Sequence, residues 1–505
     1  PMMDLSFWVS KNADFMPGKT AIRFEGLDIT YSEFDRQICL YARTLKHSFG
    51  VTPGDRVAFL GVNTPSLLCT FFACARLGAI FSPLNWRLTA LEHRYMLQDS
   101  DAKTLISDEE FRANVDAIRS DIPDCILVAN DFEDADWRSL AAELAASEGD
   151  DTNPDVTMDM PFMLVYTSGT TGRPKGAVLT QNNMQIHAYN SVHYSQMSMQ
   201  DHILTVLPMF HVGGLNIQTT PAFYAGATVN MHRRFEPPAT LKAIVEERPD
   251  LAVLVPAALQ AIFSLPEWPE ADISSLRSVA IGSSMVPLPH IEALQSRGVP
   301  APQVYGSTET GPIVIYQNPE SAFAKPGSAG KAGLHSEMRI VDDQGNDLPQ
   351  GQSGEIAVRG GNIFIEYWNN KEATRDSIKD GWFLTGDVGY LDEDGDLWVN
   401  DRKKDLIISG GENIYPAEIE AFIHEMADVV DGVVVGKPDD KWGEIPLAVV
   451  ILKEGVTLSE VEFLKRFQDN LARYKHPKEV LFVDDLPRNA MGKVQKFEVR
   501  KMIEG

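Results

Sequence analysis

Long apolar runs, paired cysteines and excess positive charge are all scarce in this sequence. The longest apolar stretch, Leu67–Ala79, is interrupted by Arg76 and falls short of the roughly 20 residues that a membrane-spanning helix needs. Residues 1–20 mix Asp4, Lys11, Asp14 and Lys19 with apolar residues, so they do not read as a secretory signal. The four cysteines, Cys39, Cys69, Cys74 and Cys125, have the spacing of neither a metal cluster nor a disulfide framework. Reduced thiols and a cytoplasmic location are the resulting expectations. With 45 Lys+Arg against 71 Asp+Glu, the net charge is −26. That balance argues against a nucleic-acid or anionic-membrane surface. It also makes the segment from Leu471 to Lys501 stand out, where eight Lys/Arg meet four Asp/Glu. This excess is either a docking place for an anionic ligand or a solvated helix face.

At 505 residues the chain is too long for one hydrophobic core and implies two or more domains. From Arg56 to Tyr305, short apolar runs such as Arg56–Leu60, Ile126–Ala129, Leu251–Val255 and Ser278–Ile281 alternate with amphipathic stretches such as Pro65–Leu77 and Leu288–Gln295. This predicts parallel sheets covered by helices. From Ser328 to Asn400 short strands are parted by Asp/Gly turns, which suggests a small antiparallel β unit. After the charged run Asp401-Arg-Lys-Lys-Asp405 comes a compact α+β segment, with helices expected over Glu418–Ile423 and Leu458–Leu471.

The densest chemical signal is Tyr166-Thr-Ser-Gly-Thr-Thr-Gly-Arg-Pro-Lys175-Gly176, led in by the apolar run Pro161–Val165. Glycines let backbone N–H groups approach a ligand, hydroxyls donate, and the lysine adds a point charge, so the loop suits a polyphosphate. No Gly-Lys-Ser/Thr closes it, so it is not a Walker A loop. Further along lie Tyr305-Gly-Ser-Thr-Glu309, where an aromatic can stack on a purine and a carboxylate can hold Mg²⁺. Thr385-Gly-Asp387 offers a carboxylate for ribose hydroxyls, and Asp401-Arg402 a guanidinium. Gly410-Gly-Glu-Asn413 and Pro487-Arg-Asn-Ala-Met-Gly-Lys493 complete the set. Each of these alone is an ordinary turn, and their order is what carries information.

In that order and spacing the motifs resemble the adenylate-forming superfamily, which contains acyl-CoA synthetases, non-ribosomal adenylation domains and beetle luciferases. The resemblance runs from Tyr31-Ser32 to Lys493 and is strongest to bacterial AMP-forming fatty-acid and aromatic-acid CoA ligases. It implies an α/β fold: a large N-terminal domain of layered α/β sheets plus a small β-barrel-like unit (residues 1–402), and a small mobile α+β C-terminal domain (403–505) with a hinge at Lys404. By the same resemblance, Thr167, Ser168, Gly169, Thr170, Thr171, Gly172 and Lys175 hold the β- and γ-phosphates. Gly282, Ser283, Ser284, Tyr305 and Gly306 frame adenine. Thr308 and Glu309 serve phosphate and Mg²⁺, Asp387 and Arg402 the ribose, and Lys493 the first half-reaction.

The acyl site is expected at Leu207-Pro-Met-Phe-His211-Val212-Gly213-Gly214-Leu215, with His211 beside the carboxylate and Pro256, Ala257 and Val304 as further walls. The aspartate that amino-acid adenylation domains place here is absent, so an aliphatic or aromatic acid is expected. His232-Arg233-Arg234 leaves a dicarboxylate open. The resemblance assigns CoA contacts to Gly410, Gly411, Glu412, Asn413, Trp442, Arg473 and Lys475. The expected reaction joins a carboxylate to AMP from ATP with Mg²⁺, then transfers the acyl group to CoA. An acyl-AMP ligase loading a carrier protein and a silent AMP-binding sensor are the alternatives. The oligomeric state stays open, a homodimer included.

Overall fold

The apolar run that interrupts at Arg76 is a helix, Pro65–Leu77, and every residue from Leu67 to Leu77 is buried. It starts with Pro65 in its first turn and ends at Gly78 in the left-handed region, φ 71°, the usual chemistry of helix start and stop. A helix apolar on all sides belongs inside a large core. Arg76 is tolerated there because its guanidinium pairs with Asp151 (2.6 Å) and Asp35 (3.4 Å), which offsets the desolvation of a buried charge. The computed structural model to which this helix belongs describes residues 3–167, 173–282, 286, 288–403, 405–487, 494 and 496–504. For Arg402 and Asn413 it describes the backbone alone.

The chain forms two compact units. One comprises residues up to Trp86, Leu97–Val165 and Gly176–Asp401; the other comprises Arg87–Met96, Tyr166–Lys175 and the chain from Arg402 onward. In the first, a nine-stranded sheet runs in the order Lys331–Ala332, Ile313–Tyr316, Gln303–Gly306, Ser278–Gly282, Leu251–Leu254, His202–Thr205, Thr228–Met231, Thr20–Phe24, Leu27–Thr30. Its centre is parallel and only its outer strands are antiparallel. Leu251–Leu254 is buried at every residue, as a central parallel strand covered on both faces must be. An eight-stranded sheet is ordered Glu366–Tyr367, Lys175–Thr180, Pro161–Thr167, Ile80–Pro83, Arg56–Leu60, Thr104–Ser107, Ile126–Ala129, Arg138–Ser139. A third, five-stranded sheet joins Ser336–Val341, Gly354–Gly360, Trp382–Leu391, Ile378–Lys379 and Leu397–Arg402. The turn at its end gathers Asp392, Asp394 and Asp396, a set that could invite a metal. The Lys325 ammonium already bonds all three, at 2.8, 2.6 and 3.0 Å.

The second unit holds a five-stranded sheet built on the long hairpin Val429–Asp439/Gly443–Leu452, with Ile407–Ser409, Glu412–Ile414 and Glu479–Phe482 beside it. Helix Pro416–His424 packs Ile419 and Ile423 into its core. The helix expected over Leu458–Leu471 is shorter, Glu460–Lys465, opened by a Ser459–Glu462 capping box. Phe463 and Phe467 still face the core as the periodicity required. Asp469, however, adopts φ 64°, a left-handed conformation that no α-helix accommodates. No helix among the described residues is long and apolar enough to cross a membrane.

Helix Gln181–Ser195, capped by Thr180 and Asn183, ties the first unit's sheets together. Asn183 donates to the Gly361 carbonyl (2.7 Å), and Asn190 to the Ser336 hydroxyl (3.1 Å). Between them His187 is buried, and its Nε2 has no partner among the described residues. Burial pushes its pKa from 6.5 down to about 3. The folded protein therefore resists a proton that the unfolded chain accepts, so His187 contributes stability above pH 6.5 that is lost as pH falls toward about 3. His187→Gln is expected to melt below wild type at neutral pH, and the gap should narrow as the pH is lowered from about 6.5 to about 4. Thermal melts across that range check it; a gap constant with pH would contradict the assignment.

Candidate active site

The first unit's candidate residues converge on one edge. Gly282, Gly306, the Leu207–His211 turn, Pro256 and His232 all lie at or just beyond the carboxyl ends of parallel strands in the nine-stranded sheet. Open α/β sheets bind ligands at that edge because helices close their faces. Tyr305, buried, donates its hydroxyl to Asp387 Oδ2 at 2.7 Å, although the two lie 82 residues apart in the chain. Asp387 is itself set by Thr385, whose Oγ1 accepts from the Asp387 N–H (3.2 Å) while its hydroxyl donates to the Ile356 carbonyl (2.7 Å). Gly386 takes φ 76° between them, a conformation that favours glycine. The expected adenine and ribose residues are thus neighbours.

The next turn, Thr308–Thr310, is held on several sides. The Ser307 N–H donates to Thr310 Oγ1 (2.8 Å), and a Cβ on Gly306 would collide with the Pro312 carbonyl. Asn362, fully buried, donates to the Thr310 (2.6 Å) and Ile313 (3.0 Å) carbonyls. Glu309 is half-buried; its Oε1 accepts from the Tyr367 hydroxyl at 2.7 Å. Among the described residues its Oε2 accepts no hydrogen bond, which leaves a hard oxygen donor of the kind Mg²⁺ prefers.

On the acyl side, Asn63 grips the loop that carries His211. Its Nδ2 donates to the Leu207 carbonyl (2.9 Å) and its Oδ1 accepts from the Met209 N–H (2.8 Å). Phe210 packs edge-on against Trp86, with ring centroids 5.9 Å apart, and tilts against His211 at 4.4 Å. The two glycines after His211 differ. A Cβ on Gly214 would collide with the Pro208 carbonyl, so its glycine serves close packing, whereas at Gly213 a Cβ would meet only Ile217 Cδ1, at 3.8 Å. The same Ile217 carbon lies 3.4 Å from a Cβ placed on Gly282. Ile217 packs in one apolar cluster with Leu207, Val253 and Val304, while Leu215 faces away into the main core. Pro256 and Ala257 are half-buried at the start of helix Pro256–Phe263. Arg233 and Arg234 are not waiting for a second carboxylate: they pair with Glu25 and Glu110 and lie over Phe24 and Trp86.

In the second unit, Gly410 and Gly411 have φ of 59° and 82°. Trp442 covers Gly410 so closely that a Cβ there would sit 2.7 Å from the ring. The Glu412 carboxylate pairs with Arg87. Lys475 departs from the expected CoA contact, because it is only 2% exposed and its ammonium is held by Glu92 and Glu418, each at 2.7 Å. Lys496, Arg500 and Lys501 also have acidic partners, so much of the C-terminal basic excess is locally neutralised. Arg473 stays exposed. Thr167 donates to the Lys175 carbonyl across the loop mouth (3.4 Å). The expectations for Ser168, Gly169, Thr170, Thr171, Gly172, Ser283, Ser284, Lys404 and Lys493 fall outside the described residues, as do those for the side chains of Arg402 and Asn413.

Tyr367, Asn362, Asn63, Ile217 and Arg87 were not expected. Only Ile217 had a signal, in its position shortly after His211.

Residues 9–368 match the AMP-binding enzyme family and residues 418–493 the AMP-binding enzyme C-terminal domain. An indoleacetate–CoA ligase of Aromatoleum aromaticum is 49% identical over 99% of this chain and 98% of its own. A feruloyl-CoA synthase of an Amycolatopsis species is 39% identical over 98% of both. The o-succinylbenzoate CoA synthetase of Bacillus subtilis, solved with a product analogue, superposes with a TM-score of 0.88 at 32% identity, covering 98% of this chain and 97% of that one. The chain belongs to the AMP-binding, adenylate-forming enzymes, as an acid–thiol ligase of the acyl-CoA synthetase type.

Proposed function

We propose that this ligase activates an aromatic acid, of the arylacetate or arylpropenoate kind, and passes it to CoA. The observation that carries the substrate reading is the apolar cluster that follows His211 in the fold. Gly213 and Gly282 present no side chain to Ile217, and Leu207, Val253 and Val304 supply apolar walls. An acyl pocket opening onto these apolar groups would suit a flat ring. Arg233 and Arg234 are already ion-paired and so do not offer themselves to a second carboxylate. The similarity to ligases named for indoleacetate and ferulate points the same way.

A carboxylate is a poor acyl donor because oxide is a poor leaving group. Its attack on the α-phosphorus of ATP gives an acyl adenylate and pyrophosphate, and a thiol then displaces AMP. Two anions meet in the first step, so catalysis is positioning plus electrostatic stabilisation. Tyr305 and Asp387 hold the nucleoside, the 166–176 loop the β- and γ-phosphates, and Lys493 the charge that builds at phosphorus. Glu309 would give Mg²⁺ one oxygen, and the ion would neutralise phosphate charge. By this reading Gly410 and Trp442, packed against each other, would border the path of the thiol arm, and exposed Arg473 would meet CoA's phosphates.

The direct test is a panel of carboxylic acids with ATP, Mg²⁺ and CoA, read as AMP release. Arylacetates and cinnamate-type acids should lead, and Ile217→Ala should shift preference toward bulkier rings. Preference for long aliphatic acids in both proteins would overturn the aromatic reading, and turnover indifferent to CoA would favour a carrier-protein acceptor. A second test separates the half-reactions. Lys493→Ala should slow acid-dependent pyrophosphate exchange while a supplied acyl adenylate still gives thioester. Gly410→Ala, whose Cβ would press on Trp442, should do the reverse. Equal losses in both steps for either variant would refute its assigned role.

A further inference from the structure

The segment Asn362–Trp368 touches two parts of the site that are far apart in the chain. On one side it clasps the Thr308–Pro312 turn. Asn362 donates to the Thr310 carbonyl (2.6 Å), the Phe364 N–H to the Glu309 carbonyl (2.8 Å), and the Tyr367 hydroxyl to Glu309 Oε1 (2.7 Å). On the other side it is the edge strand beside Lys175–Thr180, the strand by which the chain leaves the phosphate loop. The Ile365 N–H donates to the Val178 carbonyl (2.9 Å), Tyr367 lies opposite Ala177, and the Trp368 N–H donates to the Gly176 carbonyl (2.7 Å). Phe364 and Tyr367 pack edge to face at 4.7 Å and both are buried, so the hydroxyl is carried on a rigid ring.

We propose that Tyr367 is a positioning residue: it fixes the Glu309 carboxylate relative to the phosphate-loop strand and turns Oε2 toward the metal–phosphate end of ATP. The inference rests on the reading of Glu309 as the Mg²⁺ residue. A glutamate with three rotatable bonds loses much side-chain entropy when ordered. A donor already built into a packed ring meets that cost before ligand arrives, which is preorganisation. The bond also fixes which oxygen faces the ligand, since an ionised carboxylate can use either.

Tyr367→Phe removes the hydroxyl and keeps the ring. In the full-length protein, affinity for Mg·ATP measured calorimetrically without acid should fall about ten-fold, the effect of losing one hydrogen bond to a charged group. Affinity for ATP in EDTA should stay the same, as should the KM for the carboxylic acid. In a Glu309→Gln background the substitution should add little, because the two residues act as one unit. Phe364→Leu, which disturbs the packing and spares the hydroxyl, controls for general loosening. If Tyr367→Phe lowers only the melting temperature, or weakens ATP equally with and without Mg²⁺, the hydroxyl merely satisfies its own burial and the inference falls. If Glu309→Gln itself leaves Mg·ATP affinity intact, the assignment of Glu309 fails instead.

Discussion

Buried backbone carbonyls at the ends of strands need donors, and this protein answers that need with side-chain amides. A parallel sheet satisfies its own backbone, but the turns leaving its carboxyl edge do not, and an unpaired buried carbonyl is strongly unfavourable. Asn63 serves the Leu207 and His232 carbonyls, Gln218 that of Leu204, Asn216 that of Gly311, and Asn362 those of Thr310 and Ile313. All four amides are buried. Each bonded carbonyl belongs to a strand end or turn that borders the candidate site. The shape of the site is therefore an outcome of hydrogen-bond satisfaction, and the residues that touch ligand inherit their positions from residues that do not.

Charge shows the same economy. The chain is strongly acidic yet must receive a carboxylate, a triphosphate and CoA, all anions. Within each unit several cations are neutralised by the protein itself: Arg233 by Glu25 and Arg234 by Glu110 in the first, Lys475 by Glu92 and Glu418 in the second. In the Lys475 group, burial and the ammonium pull in opposite directions. Burial and the neighbouring Glu92 drive the Glu418 carboxyl up, while Lys475 holds Glu92 below its usual range despite burial.

Local rules reached the elements because they act over a few residues. The run Pro65–Leu77 was legible as a helix because proline opens it and glycine closes it, and Ile126–Ala129 as a strand because its apolar run is short and bounded by polar turns. The same rules overextended the Leu458–Leu471 helix, since apolar spacing persists through Asp469 while the backbone there does not. Motif order, which is one-dimensional, identified the family and named Tyr305, Glu309 and Asp387 as chemically meaningful.

Pairings across the chain lay beyond it. Nothing in Glu366-Tyr367-Trp368 announces that a hydroxyl meets Glu309, 58 residues earlier, and nothing in Asn63 announces the turn before His211. The family resemblance gave Lys475 to CoA, but sequence does not show burial; only folding brings Glu418 and Glu92 to its ammonium. By itself the sequence determined which groups are available, their local backbone conformation and the chemistry they can perform. The tertiary structure decided which of those groups meet, because hydrogen bonds and ion pairs depend on distance through space, and distance along the chain does not encode it.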